Sequence, residues 1–199
     1  MKKLILSAFS VILFTSCFAQ KTDVRKGPML GVSFFLNDFQ TAADIKRNGL
    51  SNVFISKNLF KSARLNPGFA ISYLQGIFNH ADFSATLGGS FVNYTTASMP
   101  TTTQNKFLLE ASSNFNLKLV NDDHWVIPFA DFGIGISKYN LHYAAFIPTG
   151  IGFQINLFDE AFIVLNSQYR FAVTEFAAPH LYHSFGIYSN IGKKKADRQ

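Results

Sequence analysis

The sequence predicts an all-β protein: one closed, antiparallel, up-and-down barrel of eight transmembrane strands. Three observations predict it. Large apolar residues recur with a period of two in eight separate segments. The residues between them are mostly small or amide-bearing rather than charged. The gaps between segments alternate, with one exception, between short and long.

Composition sets the frame. Of 199 residues, 48% are hydrophobic and only 15% charged, against about 25% charged in ordinary soluble domains. That length supports one domain. The apolar content excludes intrinsic disorder, and a single cysteine, Cys17, excludes a disulfide scaffold.

The segments follow in order. Leu30, Val32, Phe34 and Leu36 alternate with Gly31, Ser33, Phe35 and Asn37. Phe69, Ile71 and Tyr73 alternate with Ala70 and Ser72, and Ala81, Phe83, Ala85, Leu87 and Phe91 with Asp82, Ser84, Thr86, Gly88 and Ser90. The clearest run sets Phe107, Leu109, Ala111, Phe115, Leu117 and Leu119 against Glu110, Ser112, Asn114, Asn116 and Lys118. Then Ala130, Phe132, Ile134 and Ile136 oppose Asp131, Gly133, Gly135 and Ser137. Tyr143, Ile147, Ile151, Phe153, Ile155 and Leu157 oppose Gly150, Gly152, Gln154 and Asn156. Ile163, Leu165, Tyr169, Phe171 and Val173 oppose Asn166, Gln168, Arg170 and Thr174. The last run sets Leu181, Phe185, Ile187 and Ile191 against Tyr182, Ser184, Gly186, Tyr188 and Asn190. Period two puts each set on one face of a strand. Strands of about 10 residues cross a bilayer when tilted.

Short gaps fall after the second, fourth and sixth segments, around Asn79-His80, Asn121 to Asp123 and Asp159-Glu160. Longer gaps follow the first, third and seventh, as in barrels whose turns and loops lie at opposite ends. The short gap near Tyr139 to Leu141 is the exception. In the first gap, Thr41 to Asn48 suits one or two helical turns with Gly49 as the C-cap.

At the start, Lys2 and Lys3 precede an apolar run to Phe14, too short to span a membrane as a helix, and small residues follow. Residues 1–19 are expected to be a signal peptide cut after Ala19, with 20–28 a short N-terminal segment and 29–191 the barrel. A competing reading ends a lipoprotein box at Cys17 and lipidates it. The sequence has 18 basic and 12 acidic residues, so the charge falls from +6 to +4 without Lys2 and Lys3. The tail, 192–199, carries +3 of that, from Lys193, Lys194, Lys195 and Arg198 against Asp197. Nucleic-acid binding is excluded, since it would want a basic stripe across the fold.

The polar face decides which way the apolar face points. In a soluble barrel it would meet water and carry many Lys, Glu and Arg. Here Ser, Asn, Thr, Gln and Gly dominate, with isolated Asp82, Glu110, Lys118, Asp131 and Arg170. Such a face suits the lumen of an eight-stranded barrel, which side chains just fill. Leu117, Phe132, Ile151, Phe153, Leu165, Phe171 and Ile187 should then lie outside. Isolated charges in a dry lumen need partners. Arg170 is expected to pair with Glu110 or Asp131, in a network with Lys118, Asn114, Asn116, Gln154, Asn156 and Gln168 that plugs the lumen.

Asn66 to Tyr73, Leu87 to Phe91, Ile147 to Asn156 and Tyr182 to Ile187 resemble the small outer-membrane β-barrel proteins of the Bacteroidetes type, similar in architecture to OmpA and OmpX. The ending Cys17-Phe18-Ala19-Gln20 is also similar to that group. Such chains often close on an aromatic residue of the last strand. Here Lys193 to Gln199 follow it, which places an insertion signal around Tyr188 to Ile191. The resemblance implies the outer membrane of a Gram-negative bacterium, with lipids, lipopolysaccharide and other envelope proteins as partners and a structural or interaction role through the loops. The alternative is a transport-related barrel or a secretion-system subunit. Below these stand a secreted lipocalin-like binding barrel and a lipid-modifying enzyme.

Catalytic candidates at the rim are Ser137, His142, Glu175, His180 and His183, but no Gly-x-Ser-x-Gly elbow is present. His180 and His183 are the only close histidine pair, without metal-site spacing. The expectation is no enzyme, no cofactor and no metal. Gly133-x-Gly135 and Gly150-x-Gly152 precede no helix, so they read as room for interior side chains rather than phosphate loops. Lys46, Arg47, Lys57, Lys61 and Arg64 make the first loop basic, either simply solvated or facing lipopolysaccharide phosphates.

Overall fold

The computed structural model describes residues 26–55, 62–92, 106–157 and 160–191. The signal region with Cys17, most of the 20–28 segment, Lys57, Lys61 and the 192–199 tail lie outside the described residues.

Eight strands form one closed barrel: β1 Met29–Asp38, β2 Asn66–Phe78, β3 Ala81–Val92, β4 Lys106–Lys118, β5 Val126–Tyr139, β6 His142–Leu157, β7 Ala161–Ala172 and β8 His180–Asn190. Each pairs antiparallel with its sequence neighbours, and β8 returns to pair with β1. Closure leaves no unpaired strand edge. Up-and-down order puts the connections after β2, β4 and β6 at one end, with Lys26 to Pro28. Those after β1, β3, β5 and β7 lie at the other, here called the loop end.

The helix of the first loop starts earlier than the sequence suggests. α1 spans Phe39–Asn48, because Asp38 caps it by accepting from the Thr41 N–H at 2.8 Å. Gly49, at φ 80°, ends it with its N–H donated to Ile45 O. α2, Leu50–Ile55, and a 3₁₀ turn, Ser62–Arg64, complete the described part of the loop.

The irregular fifth gap is a tight turn of Asn140 and Leu141, with Asn140 at φ 57°, a conformation that asparagine tolerates. β5 and β6 run 14 and 16 residues, so long strands carry this hairpin outward instead of a long loop.

The outward face is apolar. Leu117, Phe132, Ile151, Phe153, Leu165, Phe171 and Ile187 are all exposed, and Phe69 and Ile134 reach 74% and 71%. The inward face is less uniformly polar than the sequence suggests. Met29, Leu74, Ile127, Phe129, Phe162, Val164 and Tyr188 form an apolar cluster inside the turn end. Phe35, Ala70 and Tyr182 form a second, and Phe39, Val92 and Leu108 a third at the loop-end mouth. Apart from Phe39, which belongs to α1, these residues share strand parity with the polar set, so alternation alone reads them as interruptions of one pattern.

Interior glycines make room for these rings. A Cβ on Gly31 would lie 2.5 Å from the Tyr188 ring. On Gly150 it would lie 2.3 Å from Ser167 O, a backbone atom that cannot step aside, and 2.7 Å from Asp131 Oδ1. Gly150→Ala should therefore destabilise the barrel by about 1–3 kcal/mol, read as a lower urea midpoint in micelles.

Candidate functional site

Two clusters of buried charge and an amide layer between them occupy the lumen. At the turn end, Lys118 Nζ sits 2.7 Å from Asp82 Oδ1 and 2.7 Å from Asp122 Oδ2. Lys26 joins the same carboxylates, 2.6 Å from Asp122 Oδ1 and 3.5 Å from Asp82 Oδ2, and also donates to Gln154 Oε1. Gln154 Nε2 donates to Asp82 at 3.1 Å, and Asn156 Nδ2 to Asp122 O at 3.4 Å. Two ammonium groups against two carboxylates leave the cluster neutral, the condition under which buried charge is tolerated. Burial pulls the Lys26 ammonium below its ordinary pKa, and Asp82 and Asp122 oppose that pull.

Lys26 is held there by its backbone. The Gly76 N–H donates to Lys26 O at 3.2 Å, and the Ile191 N–H to Pro28 O at 3.0 Å. A Cβ on Gly76 would stand 2.7 Å from Lys26 N, so β2 carries glycine where the chain ahead of β1 passes against it. The Lys26 ammonium also lies 4.2 Å over the Phe162 ring.

Toward the loop end, Arg170 is 2% exposed and its Nη1 is 3.0 Å from Glu110 Oε2. Asn37 Nδ2 donates to the same oxygen at 2.9 Å, and His180 Nε2 lies 3.1 Å from Glu110 Oε1. The guanidinium is clasped between rings, 3.7 Å from the Tyr182 centroid and 4.9 Å from that of Phe146. Phe39, the first residue of α1, lays its ring 4.5 Å from His180 and so roofs the cluster.

Asp131 lies between the ends. It accepts from Asn166 Nδ2 at 3.1 Å and from Gln168 Nε2, while Arg170 Nε reaches Gln168 Oε1 at 3.4 Å. Asn114 and Asn116 are buried beside it, lining with Ser72, Thr86 and Ser112 a void of about 30 Å³. That is space for a water or so, not for a solute.

Lys118, Gln154 and Asn156, which the sequence groups with Arg170, belong instead to the turn-end cluster. Arg170 and Lys118 sit near opposite ends of their strands, which the one-dimensional pattern hides. The sequence does not assign Lys26, Asp122 and Asn37 to the network. Asp122 stands in a turn, and Lys26 lies ahead of the first periodic residue. Asn37 looks like one more small polar residue.

The rim candidates are divided between two faces. Ser137, His142 and His180 line one cavity of about 40 Å³ at the mouth, together with Glu110, and there His142 stacks on Phe176 at 4.7 Å. His180 points inward and His183 outward, because an odd spacing in a strand reverses the face. The Ser167 hydroxyl and His183 Nδ1, 2.9 Å apart, meet on the outer wall, and Glu175 is exposed in the loop before β8. Among the described residues no group of three or more His, Cys, Asp or Glu is placed to hold a metal ion.

No family model matches the sequence, and no curated protein matches it. Solved structures do. The chain is similar to the N-terminal β-barrel domain of Pseudomonas aeruginosa OprF, with a TM-score of 0.52 at 7% identity, covering 83% of this chain and 98% of that one. It is also similar to neisserial surface protein A, with a TM-score of 0.54 at 10% identity, covering 84% of this chain and 99% of the other. At such identities the likeness is one of fold.

Proposed function

We propose that this chain is an outer-membrane β-barrel of a Gram-negative bacterium, sealed along its lumen, that acts as a structural or interaction protein through its loop end. The observation that carries this reading is the facing. Phenylalanine, isoleucine and leucine cover the outside, while Arg170, Glu110, Lys118 and Asp131 are buried within. In water that arrangement leaves an apolar surface far beyond what a soluble monomer tolerates. In hydrocarbon it satisfies every strand, since a closed barrel has no open edge.

The ends of the belt fit interfaces. Exposed Trp125 and Phe78 stand at the turn end, and exposed Tyr143 and Phe171 toward the loop end, as aromatic girdles do. Neutral, hydrogen-bonded clusters and the small central void support a plugged lumen, and a plugged lumen supports a non-transport, non-enzymatic role. Lipopolysaccharide is the envelope partner that the exposed Lys46 and Arg47 of the first loop suit.

The test is fractionation with outer membranes, a mobility shift on unheated gels, and planar-bilayer recording. The expected result is outer-membrane recovery, heat-modifiable mobility and no steady conductance. A large steady conductance would favour a transport-related barrel, and recovery in the soluble fraction would remove the membrane reading.

A further inference from the structure

On the outer wall, strands β8, β1, β2 and β3 frame an open groove of about 500 Å³, within the range of ligand-sized sites. Its walls are Val32, Phe34, Phe69, Ile71, Leu87 and Phe185. Gly89 and Leu109 line its upper part, and the Phe107 ring lies over Gly89, where a Cβ would stand 2.4 Å from it. Phe185 lies midway along β8, whereas Phe69, Gly89 and Leu109 lie near the loop ends of β2, β3 and β4. The groove therefore climbs from the middle of the wall to the loop-end rim.

What stands above that rim is cationic. α1 packs against β8 and, through the Asp44–Arg64 pair, against the 3₁₀ turn that leads into β2, so it stands at the loop end of two of the strands that frame the groove. Its last turn carries Lys46 and Arg47, both exposed. Asp44 is engaged by Arg64 Nη1 at 2.8 Å and by Arg47 Nη2 at 3.5 Å, and the second carboxylate of this loop is Asp38, the buried N-cap of α1. Three cations against two carboxylates leave the rim net positive.

We infer that this wall holds one lipid of the loop-side leaflet, with an acyl chain seated in the groove and an anionic phosphate headgroup under Lys46 and Arg47. The apolar walls match the hydrocarbon tail and the positive rim matches the phosphate. The inference rests on the membrane reading given above. It adds a specific lipid position to what would otherwise be an evenly solvated belt.

The experiment is native mass spectrometry of the folded barrel released from micelles containing dimyristoyl phosphatidylglycerol or the matching phosphatidylcholine. One retained phosphatidylglycerol per barrel is expected, in excess over phosphatidylcholine by roughly tenfold. Ile71→Trp fills the groove at an exposed position and should cut retention about tenfold. Ile134→Trp, on the exposed face of β5 and outside the groove, should leave it unchanged. Lys46→Ala with Arg47→Ala should abolish the preference for phosphatidylglycerol while phosphatidylcholine retention stays as it was.

Equal retention in Ile71→Trp and Ile134→Trp, or equal retention of the two lipids by the unaltered chain, overturns the inference. So does a lipid-free dimer, which would mean that a second copy covers the groove. Unheated-gel mobility and flotation with vesicles are read on every variant. Failure to insert strikes the membrane reading, whereas insertion without lipid retention strikes the groove alone.

Discussion

Arg170→Ala should cost about 3–5 kcal/mol of folding free energy, the range for breaking a buried ion pair from one side. The carboxylate of Glu110 would keep Asn37 and His180 but lose the guanidinium 3.0 Å away. It is 4% exposed, so water does not replace what is lost. The rings of Tyr182 and Phe146 would face a void instead of a cation. Removing both charges, as in Glu110→Gln with Arg170→Met, should recover a substantial part of the loss, because the cost lies in the orphaned charge more than in the missing attraction. Urea unfolding in lipid vesicles, followed by the fluorescence of Trp125, gives both values. A single-variant cost below about 1 kcal/mol would mean that water or another cation reaches Glu110.

Ile151→Arg should cost about 2–4 kcal/mol in vesicles, the penalty for a cation near the midplane of a barrel's lipid face. Ile151 is 66% exposed and sits midway along β6, paired with Ala130 and Ser167. Were that face in water, the same change would be worth within about 0.5 kcal/mol, as exposed substitutions generally are. The two accounts therefore differ by several-fold in one residue. Lys138 serves as a reference. It is an outward-facing cation near the loop end of β5, lying 5.4 Å over the Tyr143 ring, where the interface is expected. Lys138→Arg should change stability little.

The architecture was legible because its cause is local. Whether Phe115 or Asn116 faces out is decided by parity within one strand, and an error of one residue would invert every neighbour. Strand count and the placement of short and long connections follow from the same pattern. The lumen was legible only in part. Glu110 and Arg170 could be matched because Arg170 is the one charge on the polar face of its strand and needs a carboxylate from another strand. Lys118 falls in with them because sequence carries no height along the barrel axis, although Asp122 lies only four residues on and Asp82 sits on the adjacent strand β3, opposite Asn116. Lys26 had no periodic segment to mark it. The inward Phe35, Phe129 and Tyr182 were hidden among polar residues of equal parity, although glycines on neighbouring strands, Gly68 and Gly88 beside Phe35 and Gly152 beside Phe129, are the trace they leave.

The central claim is that the barrel stands in hydrocarbon with its apolar residues outward. Spin labels placed one at a time at Thr149, Ile151, Phe153, Gln154 and Asn156 on β6, in vesicle-embedded protein, test it most directly through collision with molecular oxygen and with a water-soluble nickel chelate. Oxygen access should peak at Ile151 and Phe153 and fall at Gln154 and Asn156, with the chelate excluded from the outward sites. Chelate access at Ile151 and Phe153 equal to that of a loop site such as Leu141 would contradict the account.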